Sequence, residues 1–338
     1  MTSATRAIVS GLRGARRSWG LGVFLLALNL ATALLLAIPL AATLSRELHA
    51  RPAATSMAHG FDFPWWGQWA ESGPGWQKSL GPDLLGAGFA FKNLDLLLKG
   101  QLPAGLFAVR DPEGARALLV DPLLLTIAAA YMLVQVFLAG GVLSVLRQVQ
   151  GRWTVRGLLH GAGFYCGRFL RVWALMMITA GILFTLYEPI ARWADAQARE
   201  AVSESTAAGW LLGHHAAMLL ALVFLHVVGT YARVIIVLEE RSSATLAVLS
   251  GFAFAVSRLA STIVITAALG ALGLAALWMW QAFDQAWMTT GFRSQILTLL
   301  MMQALVLARI LLRVAFAGAL MDLYRRDAVE SVPVTLVA

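Results

Sequence analysis

Residues 295–321 of the chain read QILTLLMMQALVLARILLRVAFAGALM, an apolar stretch whose only charged residues are two arginines. A helix of this length exceeds the about 20 residues needed to cross the hydrocarbon core of a bilayer. Helix is the expected form because an open sheet edge would leave backbone groups without hydrogen-bond partners in lipid. The alternating pattern typical of a membrane β-barrel is not found. The stretch therefore predicts a membrane-spanning helix.

Five further stretches have the same character and extend this prediction to the whole chain. The six predicted spans are Leu21–Thr43, Pro122–Leu146, Phe169–Leu186, Trp210–Leu238, Leu259–Phe283 and Gln295–Met321. Hydrophobic residues make up 59% of the 338 residues and charged residues only 13%, whereas a soluble domain carries about 25% charged residues. We expect an all-α, polytopic transmembrane bundle of six helices that forms a single membrane domain over residues 1–338.

Arginine is concentrated on one side of the predicted spans. With the N-terminus inside, the inner segments and the inner part of the last span hold 16 of the 26 lysine and arginine residues. They hold five of the 18 acidic residues. The positive-inside rule then predicts that both termini are cytoplasmic. The net charge of +8 is explained by topology and contact with lipid headgroups. Nucleic-acid binding is not expected, because the chain has no compact basic domain to carry it.

The long outer segment, residues 44–121, separates the first two spans. Its piece GFDFPWWGQWAESGPGW (residues 60–76) carries the tryptophans Trp65, Trp66, Trp69 and Trp76. Such an aromatic run favours burial over solvation. It is either an interfacial lid packed onto helix ends and headgroups or a binding surface for a ligand or partner. Leu84–Leu98 predicts a short amphipathic helix on the membrane surface, with a re-entrant segment as the alternative.

An amphipathic linker is predicted at residues 148–168, lying along the cytoplasmic headgroups. It contains Cys166 beside Arg168. A neighbouring cation can make a thiol more reactive, but an inert cysteine at a helix contact explains the residue equally well.

Arg309 and Arg313 are the main candidate ligand-binding residues, because an ionisable group at membrane depth is costly unless it has a partner. Their i,i+4 spacing places both on one helix face. No carboxylate lies at matching depth, so Arg309 must meet helix carbonyls, Gln135, water, or the anion of a ligand or lipid. A guanidinium suits phosphate because it offers two parallel donors. Structural pairing or snorkelling of the long side chains to the interface is the alternative.

His226 is the deepest of three histidines in the fourth span. It is either bonded to a neighbouring helix or part of a proton relay or ligand contact. His215 lies on the same face but is separated by about three turns, too far for both to share one metal ion. Motifs for nucleotide binding, zinc hydrolysis or a nucleophile elbow are missing. We therefore predict no catalytic residues, no metal site and no cofactor.

Three pieces carry a resemblance: GFDFPWW (residues 60–66), FLAGGVLSVLR (residues 137–147) and YARVIIVLEERSSATLAVLSGFAFAVSR (residues 231–258). Through them the chain resembles a loose group of bacterial six-span membrane proteins, similar in style to the membrane domain attached to some glycerophosphodiester phosphodiesterases. The resemblance implies a bacterial inner-membrane location. It supplies no catalytic residue.

The sequence as a whole favours a non-enzymatic, permease-like protein that handles lipids or small ligands. Its expected partners are membrane lipids and another membrane or periplasmic protein. The alternative is a scaffold subunit that docks a partner through its tryptophan-rich outer segment. An intramembrane enzyme using His226 or Cys166 is the third hypothesis.

Overall fold

A computed structural model gives the fold. It describes residues 2–49, 52, 54–55, 62–73, 77, 109–110, 116–117, 122–148, 153–286 and 292–330. The predicted surface helix Leu84–Leu98 and Trp76 lie outside these residues.

The described residues form nine helices and one two-stranded antiparallel ladder of two residues per strand. The helices are α1 (Ser3–Arg17), α2 (Trp19–Leu48), α3 (Phe63–Ser72), α4 (Pro122–Arg147), α5 (Val155–Glu200), α6 (Glu204–Glu239), α7 (Ala244–Ser257), α8 (Leu259–Ala286) and α9 (Phe292–Glu330). The strands are β1 (Val109–Arg110) and β2 (Arg116–Ala117). The predicted all-α class is confirmed.

Six helices are long and apolar enough to cross a membrane: α2, α4, α5, α6, α8 and α9. Each contains one of the six predicted spans. Large apolar side chains remain exposed on them, for example Leu35 at 63% on α2, Leu212 at 70% on α6 and Leu274 at 70% on α8. Surfaces of this kind are stable against hydrocarbon, not water, so the chain is an integral membrane protein.

Helix α5 differs most from the sequence prediction. It runs for 46 residues, about 69 Å at 1.5 Å per residue, and includes most of the predicted linker, from Val155 onward. The four glycines of that stretch do not end the helix. One of them, Gly161, lies where an added Cβ would overlap the Ser144 side chain of α4. A glycine there allows close helix packing, which offsets its low helix propensity.

The chain divides into two compact units. The first unit consists of Met1–Asp62, Gln135–Phe169 and Thr230–Ala338, and the second of Phe63–Val134 and Leu170–Gly229. Helices α4, α5 and α6 each contribute residues to both units.

In the first unit, α1 packs against α9 and α8. The buried residues of α1 are all small: Ala4, Ala7, Gly11 and Ala15. A Cβ on Gly11 would overlap the carbonyl oxygen of Ala315 and would lie 3.0 Å from the Cβ of Ala319. The two backbones therefore approach as closely as small residues permit, as in many membrane helix pairs.

A second close approach joins α4 to the start of α5. A Cβ on Gly141 would overlap the carbonyl oxygen of Leu158, whose side chain is fully buried. Leu158 packs in one cluster with Leu21 and Val145. Trp153 lies at the edge of this cluster, its ring 6.1 Å from that of Phe24.

The α1–α9 contact yields a stability prediction. Replacing Gly11 with alanine forces the two helices apart and should cost about 1–3 kcal/mol, the usual range for overpacking. We expect a lower thermal midpoint for the purified protein, measured by tryptophan fluorescence in detergent. Gly14→Ala is the matched control, because a Cβ there meets nothing within 4 Å. Equal midpoints for the two variants would contradict the packing.

Candidate functional site

Arginine side chains line two cavities in the first unit. The first, about 330 Å³, is lined by Arg6, Val9, Ser10, Arg13 and Arg326. The second, about 350 Å³, is lined by Ser3, Arg6, Arg258, Leu323, Arg325, Arg326 and Asp327. Both cavities share Arg6 and Arg326, and the two together are here called the arginine groove.

Local structure at the start of the chain sets the position of the groove. Thr2 caps α1 by accepting a hydrogen bond from the Thr5 amide at 3.3 Å. Arg6 and Arg13 are seven residues apart and so lie on the same side of α1. The small buried residues described above hold α1 against α9. The Ser3 and Ser261 hydroxyls, 3.4 Å apart, link its first turn to α8.

Positive charge exceeds negative charge along the groove, with five lining arginines against one aspartate. Arg258 pairs with Asp327, and Arg326 donates to both carboxylate oxygens of Asp322, at 2.8 and 3.3 Å. These carboxylates neutralise two of the five arginines.

Two other groove arginines are not neutralised within the described chain. The side chains of Arg6 and Arg13 form no hydrogen bond or ion pair with any residue that the structure describes. Both are exposed. Together they give the groove a positive potential that attracts an anion.

A hydrogen-bond network adjoins the groove and fixes one of its arginines. Arg325 donates to the backbone carbonyl of Arg147 at 2.9 Å. Arg147 in turn donates to the Glu240 carboxylate at 2.7 Å and to the Tyr165 hydroxyl at 3.4 Å. Arg168 donates to the Glu240 carbonyl at 3.2 Å. The C-terminal part of α9 is thereby tied to α4, α5 and the turn after α6.

The turn between α6 and α7 is held from its other side as well. The Tyr324 hydroxyl donates to the Glu239 carboxylate, which also pairs with Arg241. Arg241 donates to the Ser250 hydroxyl at 2.8 Å. Glu240, the first residue of the turn, adopts a left-handed backbone conformation with φ of 55°, which costs energy for a residue other than glycine.

The residues selected from the sequence lie elsewhere. Arg309 and Arg313 are exposed on α9, and Gln135 is half-buried on α4. None of these three lines the groove. His226 is exposed and belongs to the second unit. Arg313 lies close enough to Arg233 to interact electrostatically, and Arg233 donates to the Thr230 hydroxyl at 3.1 Å.

From the sequence alone, the groove arginines are predicted only to set the membrane topology. In α1, small residues at positions 4, 7, 11 and 15 recur at helical spacing beside Arg6 and Arg13. This pattern is the sequence signal that α1 packs against another helix and brings these arginines to the groove. The contribution of Arg258, Arg325 and Arg326 has no such local signal, because it depends on which helices pack together.

Aromatic contacts join the tryptophans of α3 to one another. The rings of Trp66 and Trp69 lie 4.9 Å apart, and those of Trp65 and Trp69 stack at 6.2 Å. Trp66 and Trp69 are each 6% exposed, and Trp65 is half-buried. Cys166 on α5 is half-buried.

Comparison of the chain with protein-family models, with curated proteins and with solved structures finds no match.

The conformation of Glu240 gives a prediction about the α6–α7 turn. Glu240→Ala and Glu240→Gly both remove the carboxylate that pairs with Arg147, but only glycine adopts a positive φ without strain. We expect the glycine variant to be more stable than the alanine variant by about 0.5–1 kcal/mol, since left-handed strain of about 1–2 kcal/mol is relieved at some cost in chain entropy. Denaturation of both variants in the same detergent measures the difference. A more stable alanine variant would contradict the assigned backbone conformation.

Proposed function

We propose that the chain is a non-enzymatic, permease-like protein of the bacterial inner membrane that handles lipids or small amphipathic ligands, with both termini in the cytoplasm. We further propose that the arginine groove binds the phosphate of an anionic lipid headgroup. The observation that carries this proposal is the excess of arginine in the groove, including two side chains without a partner among the described residues.

Phosphate is the favoured anion because of the donors the groove offers. A guanidinium presents a planar fork of N–H groups that matches two oxygens of a phosphate. Arg6 lines both cavities. Arg13 joins it in the first cavity, and Arg258 and Arg325 join it in the second. Arginines from different helices line the same cavity, and this favours binding of a phosphate over simple charge screening.

A lipid source for the phosphate is supported by the helices that form the groove. Arg258 immediately precedes the membrane helix α8, and Arg325 and Arg326 lie in the C-terminal part of the membrane helix α9. The ends of membrane helices lie at headgroup level. Val9 and Leu323 place apolar surface beside the guanidinium groups, as an amphipathic ligand requires. An anionic leaflet attracts such residues by about 1 kcal/mol per arginine.

The scaffold alternative requires accessible aromatic side chains in the outer segment. The burial of Trp66 and Trp69 removes two of the four tryptophans from that role. We also place the ligand in the groove and not at Arg309 or Arg313, because the groove combines several arginines around one volume.

Lipid binding by the groove is tested with two single substitutions in α1. Arg6→Ala removes an arginine that lines both cavities, whereas Arg16→Ala removes the same charge from the same helix outside them. We expect Arg6→Ala to weaken binding of phosphatidylglycerol about fivefold, corresponding to about 1 kcal/mol per arginine. Native mass spectrometry of the detergent-solubilised protein, titrated with lipid, measures this.

Equal losses in the two variants would show a charge effect without a site, and unchanged binding in both would refute the proposal. Inorganic phosphate added to the wild-type titration separates the two sources of the anion. Displacement of the lipid by millimolar phosphate would favour a soluble ligand over a headgroup.

A further inference from the structure

A cluster of titratable side chains in the second unit has no role in the proposed lipid site. Tyr187 and Asp195 lie on α5, and His214 and His215 on α6. The Tyr187 hydroxyl lies 2.7 Å from Nδ1 of His214 and 3.3 Å from Nδ1 of His215, and the two Nδ1 atoms are 3.0 Å apart. Three donor atoms thus form a triangle, here called the Tyr–His–His triangle.

The triangle is largely removed from solvent. Tyr187 is 6% exposed and His214 is 8% exposed. The two imidazole rings meet edge to face, at 90° and with centroids 4.0 Å apart. Both Nδ1 atoms lie within 3.3 Å of the tyrosine oxygen.

The three contacts of the triangle cannot all be hydrogen bonds at once. Each ring nitrogen has a single in-plane position, which holds either a proton or a lone pair. Suppose that the Tyr187 hydroxyl donates to His214 and that His215 donates to the Tyr187 oxygen. No proton is then left for a separate hydrogen bond between the two ring nitrogens. A metal ion shared by the three atoms would account for the short separation between the nitrogens.

A metal ion placed above the plane of the triangle can bind all three atoms together. Ligands bound to zinc at about 2.0–2.1 Å in a tetrahedral site are about 3.3 Å from one another, and the distance falls to about 2.9 Å in an octahedral site. The three observed separations lie close to this range. Imidazole nitrogen is a preferred ligand of zinc, copper, iron and nickel.

Asp195 is placed where a metal site needs a supporting carboxylate. Nε2 of His214 lies 3.5 Å from a carboxylate oxygen of Asp195. This nitrogen is buried, and within the described chain it has no hydrogen-bond partner. A metal on Nδ1 would fix the ring proton on Nε2, facing Asp195, as metal-bound histidines usually require.

The sequence predicts no metal site, and the composition of the triangle explains why its pattern is not visible there. In the part of the chain that the structure describes, no three side chains of histidine, cysteine, aspartate and glutamate are placed to hold a metal. The third donor here is a tyrosine, and it comes from a different helix from the two histidines.

From this geometry we propose that Tyr187, His214 and His215 bind one divalent transition-metal ion of the zinc class, with Asp195 positioning His214. Binding displaces the hydroxyl proton of Tyr187 to solvent, and the phenolate oxygen and two neutral Nδ1 atoms donate lone pairs to the metal. Because a proton is released, affinity rises with pH.

The test uses the full-length protein in detergent, purified without a histidine tag and stripped with chelator. It is titrated with Co²⁺ alone, whose visible absorption reports coordination by nitrogen and oxygen. We expect one equivalent to bind and to be displaced by Zn²⁺. His214→Ala and His215→Ala should abolish the spectrum, and Asp195→Asn should weaken binding about 10–100-fold. His226→Ala is the matched control, since it removes a histidine from the same helix outside the triangle.

Tyr187→Phe keeps the aromatic ring and guards against loss of folding in the histidine variants. It should retain the thermal midpoint of the wild type and change the Co²⁺ spectrum through loss of the oxygen ligand. The proposal is overturned if the wild type binds no Co²⁺, or if His226→Ala loses binding as the other histidine variants do. An unchanged spectrum in Tyr187→Phe would exclude the tyrosine from the site.

Discussion

In hydrocarbon, apolar contact between two helices replaces apolar contact with lipid. Apolar side chains alone therefore contribute little free energy to helix association. Association depends instead on backbones that come close enough for van der Waals contact over a long distance. The first unit meets this requirement at Gly11 against Ala315 and at Gly141 against Leu158. Without the first of these contacts, Arg6 would not share a cavity with Arg326, and the arginine groove would not form.

The arginine groove depends on how the helices of the first unit pack together. Its arginines lie on α1, on α9 and just before α8, and they line the same cavities because α1, α8 and α9 pack together. Asp322 and Asp327 neutralise only part of this charge. The remaining arginines hold the groove at a positive potential, and a bound anion would stabilise the folded arrangement by mass action.

The six spans could be predicted from the sequence because burial in lipid requires long, uninterrupted apolar runs, and those runs are visible in composition alone. The continuous helix Val155–Glu200 could not be predicted from the sequence, because its glycine-rich start resembles a linker until its packing partner is known. The groove and the Tyr–His–His triangle were missed for a related reason. The groove brings together residues far apart in sequence, such as Arg6 and Arg326, and the triangle joins residues of two consecutive helices, such as Tyr187 and His214. The periodicity of a single helix says nothing about such pairs.

The docking of α1 onto α9 joins the first helix of the chain to the last one described. A ribosome delivers the chain from its N-terminus, so Gly11 leaves the exit tunnel long before Ala315 has been synthesised. Helix α1 is therefore without its partner until five other membrane helices have been synthesised. Formation of the groove is consequently a late event in biogenesis, and a truncated chain that ends before α9 would never assemble it.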